Sequence, residues 1–369
     1  MKRTLLIIVS LMVVAGAAFA HPHEYKTLLL GDSWAQAERD YSTFYTCWDF
    51  CGLYSWAPRG DYTAIGGTTA WWWALPAQLA VINNELAAFP SIDQVHVHLS
   101  GNDFLGGWNA AMTPEQENAL FAAINVNCDI IIEDILNQRP NVKCAWGGYD
   151  YLNFVETLGN PSAMALWLLL GAPTPNRLNW ALINMGYGTR VKCEEHAPRA
   201  QYVQNWGLMQ WWFGYPGLGV PPGFWPAPGQ APGYNPWPGG NPDFPSPPEA
   251  MGSNGQDPIH LNATGYLFIG WNALTACLID WTRQAWGPTP AMDATNVPRN
   301  QDLFWVPNAS AVAHDVYFGT GGEYRGRTTA TTYDTGWMAG NTHYWWKIDE
   351  VYGDSSVQGG WWWHFKTGS

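Results

Sequence analysis

The 369-residue chain sets 17 Lys and Arg against 30 Asp and Glu, a formal net charge of −13 at pH 7. So acidic a chain excludes polyanionic partners such as nucleic acid, whose binding rests on Lys and Arg meeting phosphates. With 47% hydrophobic residues it is long enough to bury one large core and a smaller second one.

Residues 1–20, MKRTLLIIVSLMVVAGAAFA, begin with Lys2 and Arg3, continue through an apolar run and close on Ala18-Phe19-Ala20. That is the three-part pattern of a secretory signal peptide, with cleavage predicted after Ala20. The apolar run is short of the roughly twenty residues a bilayer-spanning helix needs, so a secreted or periplasmic chain with no membrane span after cleavage is expected. Export makes the even set of six cysteines compatible with disulfides. Their pairing is not fixed by sequence; proximity would join Cys47 to Cys51, Cys128 to Cys144 and Cys193 to Cys277. No Cys/His cluster has metal-ligand spacing, and neither a metal nor a cofactor is predicted. The mature terminus His21-Pro22-His23 has the groups of a copper site, but imidazoles near a floppy end bind metal adventitiously.

In chain order, YKTLLL predicts a strand, ALPAQLAVINNELAAF a helix with Pro76 near its start, and QVHVHLS a second strand. PEQENALFAAINVNCDIIIEDILNQ then predicts a long helix and VKCAWGGYD a third strand, while MALWLLLGA at 164–172 reads as buried core. Strands alternating with helices predict an α/β fold, a parallel sheet covered on both faces, with ligands beyond the carboxyl ends of the strands. His96 and His98 alternate along a strand and read as satisfied structural residues. Residues 206–256 are too rich in Pro and Gly for a helix or central strand, and predict an extended ordered loop or a mobile flap, its tryptophans packing on their own domain in preference to covering a substrate. DPIHLNATGYLFIGWNALTACLIDW resumes with a turn and a helix. After a linker at 287–292, the segments DVYFGT, THYWWKIDEVY and GGWWWHFKT predict a small all-β sandwich over 293–369. This tail resembles the fibronectin type III-like modules appended to secreted bacterial enzymes. The catalytic unit would then span 21–286.

Ser33, in LGDSW at 30–34, stands where the first strand turns into a helix. A serine hydroxyl needs a base, and the base needs a group to orient it. Of nine histidines, His260 in QDPIHLN follows Asp257 by three residues, so one turn can hold carboxylate beside imidazole. Donors for an oxyanion are offered by Gly66 in AIGGTTA, where bare backbone can approach a ligand, and by Asn102 in HLSGNDFLGG at a strand end.

The blocks GDS at 31–33, GGTTA at 66–70, GND at 101–103 and DPIH at 257–260 together resemble the GDSL-type, or SGNH, hydrolases, in that family's order. The resemblance spans residues 25–285. It implies a three-layer α/β/α fold, Ser33 as nucleophile, His260 as base, Asp257 as its orienting acid, and an oxyanion hole made by the Ser33 N–H, Gly66 and Asn102. It also implies a serine ester hydrolase working through an acyl-enzyme. Carbohydrate O-acetyl or short-chain acyl esters are the expected substrates, with a polysaccharide or other polymer surface as the larger partner. The alternative is a non-catalytic carbohydrate-binding or adhesive protein on a hydrolase-like core, motivated by 25 tryptophans. Runs such as Trp71-Trp72-Trp73 and Trp361-Trp362-Trp363 cannot bury every ring on one face of a helix or strand.

Overall fold

The structure is a computed structural model and describes residues 24–54, 56–227, 229–230 and 239–369. The expected signal peptide and the His21/His23 pair lie outside these residues. Five strands, β1 (Glu24–Gly31), β2 (Trp56–Arg59), β3 (Gln94–His98), β4 (Lys143–Gly147) and β5 (Ala200–Val203), form one sheet in the order β2-β1-β3-β4-β5. Every pairing in it is parallel.

Alternation along β1 divides the core. Leu28 and Leu30 join the cluster containing Val95, Val97 and Ile131, whereas Leu29 faces Phe44, Trp48 and Ala145 on the other side. Helices supply both outer layers: α1 (Ser33–Asp40) and α2 (Thr43–Phe50) after β1, α3 (Ala70–Trp73) and α4 (Pro76–Ala88) before β3, then α5 (Gly101–Gly107) and α6 (Pro114–Gln138). The chain continues through α7 (Pro161–Leu169), α8 (Pro175–Glu195), α9 (Leu208–Phe213) and α10 (Ala263–Ala273). Start signals in the sequence account for several of these. Thr113 and Gln116 form a reciprocal capping box ahead of Pro114, and Asn262 caps α10 by accepting the Gly265 N–H. The fold is the predicted three-layer α/β/α.

Three sequence expectations are corrected. Helix α7, read as core, lies on the surface: Ala163 is its one buried residue, and Leu168 and Leu169 are 59% and 68% exposed. The Pro/Gly/Trp segment contains the short helix α9, in a stretch free of proline. It packs on its own domain as expected, with Trp212 stacked on Phe268 at 4.4 Å and buried Gln210 donating to the carbonyls of Asn241, Phe244 and Pro245. All six cysteines are free and buried, so none of the three proximity pairings is formed. Their sulfurs fill buried core positions, where burial pushes the Cys144 thiol up to about 12 and the others higher still.

The C-terminal part is all β. Strands β6 (Trp286–Thr289), β8 (Leu303–Val306) and β11 (Thr332–Tyr333) form a three-stranded sheet. A six-stranded sheet contains β7 (Ala294–Val297), β9 (Ala311–Gly319), β10 (Tyr324–Thr328), β12 (His343–Tyr352), β13 (Val357–Gln358) and β14 (Trp363–Thr367). Trp305, Val316, Trp346, Ile348 and Phe365 fill the core between them. Residues 287–289 of the expected 287–292 linker belong to strand β6. This unit is fastened to the first domain: buried Trp363 Nε1 donates to Gly52 O at 2.6 Å and Gly287 N to Cys51 O at 2.8 Å. The Trp runs split as their geometry requires, with Trp73 and Trp363 buried and Trp71 and Trp362 exposed.

Candidate active site

The carboxyl end of β1 is shaped for a close approach. Gly31 has φ +143°, and a Cβ there would stand 1.8 Å from the His98 carbonyl oxygen of the neighbouring strand, so a side chain is excluded. Asp32 follows, donating its N–H to His98 O at 2.9 Å and capping α1 by accepting the Trp34 N–H, also at 2.9 Å. Ser33 is therefore the first residue of a helix, where a backbone N–H has no intrahelical acceptor.

Ser33 Oγ lies 2.7 Å from His260 Nε2, and His260 Nδ1 lies 2.9 Å from Asp257 Oδ2. The other Asp257 oxygen accepts the N–H groups of Ile259 at 2.8 Å and His260 at 2.9 Å. The turn thus fixes the carboxylate and leaves one oxygen for the imidazole. Burial disfavours charge on both groups. Even so, the His260 hydrogen bonds hold Asp257 below its usual range, and the Asp257 hydrogen bond and charge, with Asp32 behind, raise His260 above the ordinary histidine value.

Asn102 lines the same cleft as Ser33. Its Nδ2 donates to Thr68 O at 2.9 Å, which orients the amide while an NH₂ group still has a second proton to give. Asp103, the next residue, accepts the N–H groups of Ala70 at 2.7 Å and Trp71 at 3.1 Å and so ties the GGTTA segment to the GND segment. Gly66 differs from expectation. It lies beside Ser33, but its N–H donates to Gln36 Oε1 at 2.6 Å, so the donor is covered by a side chain one turn along α1.

Sequence reasoning missed Gln36 and also Tyr149. Tyr149 Oη donates to Asp32 Oδ2 at 2.6 Å and accepts the Gly101 N–H at 2.9 Å, joining two strand ends. Burial raises Asp32 to about 6, against the lowering hydrogen bonds of Tyr149 and the Trp34 N–H. The only sequence signal for Tyr149 was its place at the end of a predicted strand.

Phe104, Leu105, Leu152, Leu182 and Ile259 close the cleft around Ser33 and Asn102, leaving about 20 Å³. Across Ile259, beside His260, a wider groove of about 240 Å³ is lined by Asn160, Ser162, Leu166, Ser253 and Gln256. A hydroxyl, an imidazole and a carboxylate in line at the end of a parallel sheet are the groups of nucleophilic acyl transfer.

No family model matches the chain, and no curated protein does. Among solved structures it is similar to an extracellular lipase from Streptomyces rimosus, with 14% identity and a TM-score of 0.40 over 69% of this chain and 99% of that one. A carbohydrate acetylesterase from Sinorhizobium meliloti gives 10% identity and a TM-score of 0.40 over 69% and 99%. A GDSL-like lipase from Bacteroides thetaiotaomicron gives 13% and 0.36 over 74% and 95%. Its structural neighbours are thus GDSL-like lipases and carbohydrate esterases.

Proposed function

We propose that the chain is a secreted serine ester hydrolase of the SGNH type that removes short acyl groups, acetyl foremost, from carbohydrate hydroxyls. The observation that carries the reading is the continuous path from Ser33 Oγ to His260 at 2.7 Å and on to Asp257 at 2.9 Å. His260 Nε2 takes the Ser33 proton as Oγ attacks the ester carbonyl; Asp257 keeps the imidazole in the right tautomer and stabilises it when charged. The oxyanion is met by the Ser33 N–H, by Asn102 and, once Gln36 moves, by the Gly66 N–H. His260 then protonates the leaving alcohol, and water, deprotonated by the same imidazole, releases the acid from the acyl-enzyme.

Size and polarity support the substrate class. The space beside Ser33, about 20 Å³, suits a methyl-sized acyl end. The leaving alcohol must lie towards His260, where the groove carries uncharged amide and hydroxyl side chains around Leu166, a set suited to sugar hydroxyls and the apolar face of a sugar ring. The test is a panel of aryl esters from acetyl to decanoyl, with acetylated oligosaccharides, run on the mature chain and on Ser33→Ala. Turnover falling beyond butyryl and abolished in Ser33→Ala is the expected result; Ser33→Ala cleaving at the parent rate would refute the assignment.

A further inference from the structure

Beneath Ser33, helix α1 turns a second carboxylate inward. Glu38 is fully buried, as are His96 and His98 of β3, whose two-residue spacing puts both imidazoles on one face of the strand. Glu38 Oε2 lies 3.1 Å from His98 Nδ1, and Oε1 lies 3.3 Å from His96 Nε2. One ligand atom from each of the three residues lies within 4.8 Å of the other two. Ring packing fixes them, with Phe44 4.9 Å from His96, Trp34 5.7 Å from His98, and the two imidazoles edge to face at 4.7 Å. The ester mechanism uses none of the three.

An ion pair leaves this group incomplete. Glu38 Oε1 and His96 Nε2 face each other outside hydrogen-bonding geometry, and His96 Nδ1 and His98 Nε2 also lack a hydrogen-bond partner among the described residues. Were either imidazole protonated to match Glu38, its outer N–H would carry positive charge into a closed core without an acceptor. Bound to a cation, a neutral imidazole leaves that N–H uncharged.

Ligands about 2.0 Å from a tetrahedral ion stand about 3.3 Å apart, close to both Glu38 separations. Two imidazoles and one carboxylate suit borderline divalent ions, zinc foremost, whereas calcium and magnesium take oxygen sets. We propose that Glu38, His96 and His98 bind one Zn²⁺-type ion that clamps α1 to β3 beneath the nucleophile. His96 Nε2 and His98 Nδ1 give lone pairs and Glu38 its ionised oxygens, and no bond is broken. The ion is structural, since its ligands are closed off from the cleft, and it is taken up as the chain folds. A second cluster of three such groups among the described residues, Asp129, Glu133 and His196, lies at the surface, and Lys192 Nζ already stands 3.2 Å from Asp129.

The experiment is zinc analysis of the whole mature chain purified from zinc-supplemented cultures without chelator, with the ion released by denaturant and read with a chromogenic chelator. About one zinc per chain is expected, retained in Asp129→Asn and lost in His96→Gln and in His98→Asn, the second variant covering a failure of the first to fold. Native chain carrying less than about 0.1 zinc per molecule overturns the proposal. So does undiminished zinc in soluble His96→Gln or His98→Asn, which would put the ion elsewhere, His21 and His23 included. The readout is independent of esterase activity, so an inactive but zinc-loaded chain would sink the ester reading and leave this site standing.

Discussion

On the proposed reading, Gln36 covers one of the donors offered to the oxyanion, the Gly66 N–H. Its Oε1 accepts the Gly66 N–H at 2.6 Å while its Nε2 reaches Asp40 Oδ2 at 3.4 Å, so the side chain is held at both ends. A substrate carbonyl that is to use this N–H must first displace an amide oxygen already bonded to it. A neutral hydrogen bond in a partly exposed place has a net worth of about 0.5–1.5 kcal/mol, and 1.36 kcal/mol is tenfold in rate. Removing the competitor with Gln36→Ala should therefore raise kcat/KM by about 2- to 13-fold. The helix itself should not suffer, because alanine is the better helix former. Asp40→Ala, which frees only the far end of Gln36, should act in the same direction and more weakly. The assay is steady-state hydrolysis of an aryl acetate, with melting temperature as the control. If Gln36 instead assists the intermediate, kcat/KM falls in Gln36→Ala, and the competition argument is wrong; an unchanged rate would equally refute it.

Three further outcomes follow from the same geometry. Asn102→Ala should lower kcat on the order of 100-fold or more at nearly unchanged KM, as for an interaction made only in the transition state, read in the same assay. Asp257→Asn should cost roughly 10³- to 10⁴-fold in kcat by favouring the wrong tautomer. It should also move the acid limb of the pH profile: His260 acts as base only when neutral, and because Asp257 raises its pKa, the rising limb of kcat/KM should centre above the usual histidine value near 6.5 in the parent and shift to lower pH in the variant. Trp363→Phe removes a buried donor to Gly52 O and should destabilise the chain by about 1–3 kcal/mol, measured by denaturant unfolding, with kcat unaltered because the contact is remote from Ser33.

What the sequence made legible was what is local. Asp257 and His260 are three residues apart in one turn, so their contact is nearly built into the spacing, and Ser33 follows an apolar strand whose glycine cannot carry a side chain. The strands β2 and β5 are four residues each, too short for alternation to emerge from the background, and they form because long neighbours offer them edges. The Gln36–Gly66 bond joins residues 30 apart and depends on one rotamer. Glu38 and His98 are 60 apart, and neither marks the other in the text of the chain. The cysteines misled for a physical reason as well: parity and export bear on where disulfides are allowed, but the sulfurs here fill core positions that any small apolar group could hold.

The aspartate of the Gly-Asp-Ser corner has a different use from the one its charge suggests. Asp32 takes the Trp34 N–H and the Tyr149 hydroxyl, and Tyr149 in turn takes the Gly101 N–H. This chain runs from the end of β1, through Tyr149 two residues after β4, to the residue before Asn102, while Asp103 reaches across to the first turn of α3. Ser33 and the Asn102 segment are thereby tied to each other by hydrogen bonds that are buried at Asp32 and partly exposed towards Gly101 and α3, and on the proposed reading a site so preorganised spends little free energy on reorienting dipoles as charge develops. The exception is the Gly66 corner, held by a side chain near the surface. Entry of substrate therefore asks one side chain to move and leaves the strand ends in place.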